Sequence, residues 1–286
     1  MKKLFTSLVA SILVFTLLLS IGCAKPLAMG KEMLKSKTQL EAVTQLDKGE
    51  VDAVVIDSIM AGYYAVQGDY AGKIAIVPNL ILAEEEYGIA GRKGDKAFIG
   101  KINEALIELN TSILGVSVLG GIASAFGVQE SLAVKDDSVN PYADATDDSW
   151  DKIKTSKKIV VGYTLFAPIA YKVAGSLTGF DIELAKTVVL YLNEKYNTEI
   201  EIEFLEIDWN SKEALLEEGS IDLVWNGMTI TEERLNAMCI SIPYLYNRQV
   251  AVTLVENVSK YTDKASFKDA VIGVEAGSAG EKVVAG

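Results

Sequence analysis

Gly219-Ser220-Ile221-Asp222-Leu223-Val224-Trp225-Asn226-Gly227-Met228-Thr229-Ile230-Thr231-Glu232-Glu233-Arg234 is the stretch that decides how this chain is read. Residues 221–225 form a short apolar run of buried-strand type, and Thr231-Glu232-Glu233-Arg234 reads as the start of a helix. A strand that leads through polar residues into a helix is the junction at which α/β proteins hold ligands, beyond the carboxyl ends of their strands.

The same alternation extends outward on both sides. Residues 159–162, 199–205, 250–255 and 270–274 read as strands, and 179–191 and 211–217 as helices. Nearer the start, 40–46 has apolar residues at helical spacing, 51–56 is a buried-strand run, and 101–109 is an amphipathic helix. The pattern predicts an α/β fold of mainly parallel sheets flanked by helices.

Composition narrows the function. The 286 residues carry 27 Lys plus Arg against 39 Asp plus Glu and no histidine, a formal charge of −12, and 50% are hydrophobic. That is enough apolar material for one large domain or two ordinary ones. The acidic balance opposes nucleic-acid binding, which needs clustered cations. The lack of histidine excludes Ser-His-Asp and Cys-His nucleophile arrangements and histidine-ligated metals. Two cysteines, Cys23 and Cys239, cannot build a disulfide framework. The chain is expected to bind rather than to catalyse, with no cofactor and no metal.

Lys2 and Lys3, the apolar run 4–19 and Ser20-Ile21-Gly22-Cys23 read as a secretory signal over 1–22. Gly22-Cys23 resembles the lipobox of bacterial lipoproteins, which implies a lipid on Cys23 and a tether over 23–30; Ser20 stands where leucine is commonest. The remainder is then expected outside the cytoplasmic membrane, anchored without spanning it. An uncleaved anchor is the alternative.

Residues 113–149 read as a connector. Residues 113–126 are apolar but too short for a span of about 20 residues, and Gly115, Gly120 and Gly121 weaken an isolated helix, so a helix or hairpin docked on a surface is expected. Residues 135–150, with five aspartates, read as an exposed linker.

Six motifs stand in order after this connector: Phe166-Ala167-Pro168; Gly179-Phe180-Asp181-Ile182-Glu183-Leu184-Ala185; Ile207-Asp208-Trp209; the opening stretch; Ser241-Ile242-Pro243-Tyr244; and 272–281, which contains Glu275-Ala276-Gly277-Ser278-Ala279-Gly280-Glu281. Together they resemble the N-terminal portion of the family 3 amino-acid-binding receptors of bacterial ABC importers. Before the connector, 49–58 and 85–95 resemble the remainder of that family, which normally follows the Gly-Ser-x-Gly-Glu motif. The order is therefore inverted, and the chain reads as a circular permutant over 31–109 and 159–286. Joining Gly286 to Lys31 restores the family order and gives an apparently uninterrupted helix across the junction. A domain-swapped oligomer is the competing arrangement.

The resemblance implies a two-lobed periplasmic-binding-protein-like clamp with a two-strand hinge. Lobe 1 is expected from 150–254 with 87–112, and lobe 2 from 255–286 with 31–86. It implies that Arg234 clamps the carboxylate of an amino acid, with Thr229, Ser278 and the N–H of Ala279, and that Asp57, with the carbonyl of Gly227, takes the ammonium. Phe166 and Trp209 would flank the ligand's side chain. Because the loop Gly162-Tyr163-Thr164-Leu165 lacks the acid the family often has there, a polar or uncharged amino acid is favoured. The partners are an importer permease and, through Cys23, the membrane. On the residues alone, Arg234 reads equally as a surface partner of Glu232 or Glu233, Asp57 as a helix cap, and Ser278 as a capping turn. Other functions compatible with the motifs are an extracytoplasmic sensor domain, an enzyme using Asp57 and Glu275 as acid and base, and a permuted relic that no longer transports.

Overall fold

The computed structural model describes residues 28–112 and 115–286. The expected signal and Cys23 lie outside these residues, as do Ile113 and Leu114 of the connector. The chain begins β1 (Glu32–Ser36), α1 (Gln39–Asp47), β2 (Ala53–Asp57), α2 (Ser58–Val66), β3 (Ile74–Arg92), α3 (Lys96–Asn110). There follow α4 (Val118–Ala125), α5 (Ser149–Ser156), β4 (Lys158–Tyr163), the hairpin β5 (Tyr171–Val173) and β6 (Ser176–Thr178), α6 (Phe180–Tyr196) and β7 (Glu201–Glu206). The remainder is α7 (Lys212–Glu218), β8 (Leu223–Thr229), α8 (Glu232–Ala237), β9 (Met238–Ile240), β10 (Leu245–Leu254), β11 (Val271–Glu275) and α9 (Ala279–Ala285).

One mixed sheet runs β1-β11-β2-β10-β3-β8-β4-β7, with β9 on β3. β1, β11 and β2 are parallel to one another, as are β8, β4 and β7, and the two groups are joined by the antiparallel pair β3 and β10. The fold is thus the expected α/β clamp, two parallel halves on either side of two crossing strands. β2 and β8 are buried at every position, as parallel strands covered on both faces must be. β7 is an edge strand and stays largely exposed. Along β3 and β10 the register shifts on both sides of Val250, where the strands pass from one half to the other.

The half containing β8 packs α3 against α6 through Phe98, Ile102, Leu106, Leu184 and Val188. The start of α6 depends on Gly179, whose φ is +130° and whose Cβ would stand 2.2 Å from the carbonyl oxygen of Ile169. Only glycine tolerates both conditions.

The two ends of the described chain meet in the other half. β1 pairs in parallel with β11 from Glu32 opposite Val271 to Ser36 opposite Glu275. The Ala28 N–H donates to the Val284 carbonyl at 2.9 Å, and a Cβ on Gly286 would lie 2.9 Å from that of Ala28. One expectation fails here. Residues 31–34 do not continue α9 as a helix; they lead into and form β1, because β11 would otherwise present an open ladder edge that a strand satisfies and a helix cannot.

The connector is docked rather than loose. α4 lies against α3 and α6, and Leu132 bridges to Leu245 on β10. The stretch expected as an exposed linker is pinned to α3: Asn140 joins Asn103 at 3.1 Å and the Gly100 carbonyl at 2.8 Å, and Asp147 accepts the Ala97 N–H at 2.8 Å. Its charges face water while its amides and one carboxylate satisfy α3, a distinction that composition does not carry. Among the described residues no helix is long and apolar enough to cross a membrane.

Candidate functional site

One cleft gathers residues from both halves of the sheet. It is lined by Phe166, Trp209, Gly227, Thr229 and Arg234 on the β8 side and by Asp57, Ser278 and Ala279 on the β2 side. All eight residues singled out from the sequence therefore face a common space. That space is narrow: the centre of a water molecule has only about 10 Å³ in which to move, about what one water needs. Anything larger requires the halves to part.

Arg234 begins one turn into α8, whose N-cap Thr231 accepts its N–H at 3.2 Å. The residue is only 4% exposed. Nη1 donates to the Thr229 carbonyl at 2.7 Å and Nη2 to the Gly277 carbonyl at 3.1 Å. Its guanidinium carbon lies 6.0 Å from the centre of the Trp209 ring. These contacts use two of the five N–H donors and fix the plane of the fork. Glu233 does not take this arginine; it pairs instead with Lys282 of α9, across the cleft.

Asp57 ends β2 and is 4% exposed. It occupies the N-cap position of α2, yet its carboxylate makes no capping bond. It accepts from the Tyr87 hydroxyl at 2.6 Å, from Gln249 at 3.0 Å, and from Gln39 and Asn247. Glu85 is held by the same Asn247 and Gln249 amides, at 3.0 and 3.1 Å, and by the Thr229 hydroxyl at 3.2 Å. Ser278 does cap α9, accepting the Glu281 N–H at 3.1 Å, while lining the cleft. Gly227 has φ +60°, and its N–H donates to buried Asp181 at 2.8 Å. A side chain there would press on Phe166 and Tyr87.

With this geometry in view, residues 159–272 match the family described as bacterial extracellular solute-binding proteins, family 3. Over that segment the chain is similar to the family 3 solute-binding proteins. The arginine-binding extracellular protein ArtP of Bacillus subtilis (strain 168) is 32% identical over 128 residues, covering 44% of this chain and 47% of ArtP. A glutamine-binding protein of Geobacillus stearothermophilus is 29% identical over 162 residues, 55% of this chain and 58% of that protein. Among solved structures, a polar amino acid ABC uptake transporter substrate-binding protein from Streptococcus thermophilus is 37% identical over 35% of this chain and 36% of its own, with a TM-score of 0.28. The chain spans about half the length of the curated relatives it matches.

The sequence reading missed the residues that hold Asp57. Gln39, Glu85, Tyr87, Asn247 and Gln249 form a buried polar network around it. A signal was present: Glu85 and Tyr87, like Asn247 and Gln249, alternate along a strand and so share one face. Thr164, Asn226 and Glu275 also line the cleft.

The electrostatics are set by burial. Burial pushes the Asp57 carboxyl up to about 7, with Glu85 adding to the rise and bonds from Tyr87 and Gln39 opposing it. Burial also carries Asp181 to about 7 and, together with Asp57, Glu275 to about 8. Lys212, buried near Arg234, falls to about 8. The three raised acids bind protons more tightly folded than unfolded. Their contribution is therefore complete below about pH 4, where both states are protonated, and is lost as pH rises toward about 8. Lys212 is charged in both states over most of that window and begins to lose its proton in the folded state only near pH 8, a gain small beside the loss from the three acids. Without added amino acid the protein is expected to melt at a higher temperature near pH 5.5 than near pH 8, by a margin on the order of a few kcal/mol. Calorimetry at the two pH values checks this; a lower melting temperature at acid pH contradicts it.

Proposed function

We propose that this protein captures a free amino acid outside the cytoplasmic membrane and delivers it to an ABC importer permease by closing two lobes over it. The observation that carries this reading is that Arg234 and Asp57, from opposite halves of the sheet, line one cleft. A zwitterion removed from water needs a cation for its carboxylate and an anion for its ammonium. The remaining Arg234 donors, the Thr229 and Ser278 hydroxyls and the Ala279 N–H would take the carboxylate. Asp57 and the Gly227 carbonyl would take the ammonium, and Phe166 and Trp209 would enclose the side chain. Since the two charges sit on different lobes, a ligand that engages both stabilises the closed form over the open one.

We also infer a circularly permuted order, lobe 1 comprising 150–254 with 87–112 and lobe 2 comprising 255–286 with 31–86. The parallel pairing of β1 with β11 and the approach of Ala28 to Gly286 support it. In this reading Cys23 carries the lipid that keeps the receptor near its permease.

Isothermal titration of the purified protein against the twenty amino acids and cystine tests the function. Saturable binding of at least one of them is expected, from a species that sediments as a monomer. Absence of heat with all of them refutes amino-acid capture, and binding only by a dimer refutes the single-chain clamp.

A further inference from the structure

Glu275 is the last residue of β11 and lines the cleft with only 4% of its surface exposed. Asp57 already supplies the anion that an amino-acid ammonium requires, so Glu275 is a second buried acid lining the same cleft. Its neighbours do not neutralise it. Among the described residues, neither Asp57, Glu85 nor Glu275 has a lysine or arginine nitrogen within 4.0 Å. Gln39 stands beside Glu275 but is uncharged and is shared with Asp57. Arg234 is turned to Thr229 and Gly277. Lys212 is folded onto Trp209, its Nζ 3.2 Å from that residue's carbonyl oxygen and 4.8 Å from the ring centre, and does not line the cleft. The buried acids at the cleft, Asp57, Glu85 and Glu275, thus outnumber the bases, Arg234 and Lys212, and Glu275 is left holding its proton.

A zwitterion brings one charge of each sign and leaves that imbalance untouched. A ligand with a further positive charge corrects it, because Glu275 then gives its proton up to solvent and pairs with that charge as a carboxylate. We propose that Glu275 is the specificity-determining residue of the cleft and selects amino acids whose side chain is cationic, of the lysine or arginine type. This rests on the amino-acid reading above. It replaces the expectation of a polar or uncharged ligand, which followed from the lack of an acid in Gly162-Tyr163-Thr164-Leu165: the acid comes from β11 of the other half instead. Trp209, which lines the same cleft, offers the ring surface along which an aliphatic stem and its cation would lie.

The test is a calorimetric comparison of lysine, arginine and glutamine on the full protein, for wild type and Glu275→Gln. Wild type is expected to favour lysine or arginine over glutamine by roughly 30-fold or more, the scale of a buried charge pair. Glu275→Gln should bring the three within about threefold of one another by weakening the cationic ligands and sparing glutamine. Glutamine or another neutral amino acid binding wild type as tightly as arginine overturns the inference and leaves amino-acid capture standing. So does a cation preference that survives Glu275→Gln. Failure of wild type to bind any amino acid removes both. The wild-type ratio decides by itself if the variant does not fold, which circular dichroism would reveal.

Discussion

Arg234→Ala is expected to lose amino-acid binding by about 10²- to 10³-fold, the effect of truncating one partner of a buried, hydrogen-bonded charge pair. The guanidinium is the cation fixed at the cleft wall, and its two carbonyl contacts hold it in place before a carboxylate arrives. Arg234→Lys should recover little, since a single ammonium cannot make two parallel bonds. The loss should extend to every amino acid that binds wild type, because the α-carboxylate is common to all. Titration calorimetry reads this directly. Binding retained within a few-fold of wild type would show that the carboxylate is held elsewhere.

Asp57→Ala is expected to cost about 10²-fold or more for the same reason, this time through the ammonium. The variant also leaves the Tyr87 hydroxyl and the Gln249 and Asn247 amides facing a void, and unpaired buried donors cost about 1–3 kcal/mol each. A reduced melting temperature should therefore accompany the loss. Asp57→Asn separates the effects, since it keeps the volume and removes the charge. If Asp57→Asn binds amino acids as wild type does, the ammonium assignment fails. If it folds with wild-type stability and no longer binds, charge rather than packing is responsible.

Much of this site was legible in the sequence because its residues sit where strands end. Asp57 closes an unbroken apolar run, and Thr229 and Arg234 lie on either side of the turn from β8 into α8. What was hidden belongs to the crossing strands. β3 runs for 19 residues, but Pro78 and Asn79 (φ 59°) interrupt its pattern, and Glu84-Glu85-Glu86 hides a buried face behind apparent polarity. β10 begins at Leu245 rather than near Val250, because Asn247 and Gln249 point inward and read as loop residues. Buried hydrogen bonding permits polar residues in such a strand, and apolar periodicity is blind to that permission. The fate of 31–34 has a similar origin, since a helical pattern in four residues is weaker than an unpaired strand edge.

The docked connector has one further consequence. It leaves from the end of α3, lies on α3 and α6, reaches the start of β10 through Leu132 opposite Leu245 and the Ala133 N–H on the Tyr244 carbonyl, and returns at α5. Val139 stands at its outer surface, 77% exposed. The exposed tip at Val139, rather than the pinned residues around it, is therefore a natural splice point, where cargo of foreign sequence would displace no contact that holds the connector down.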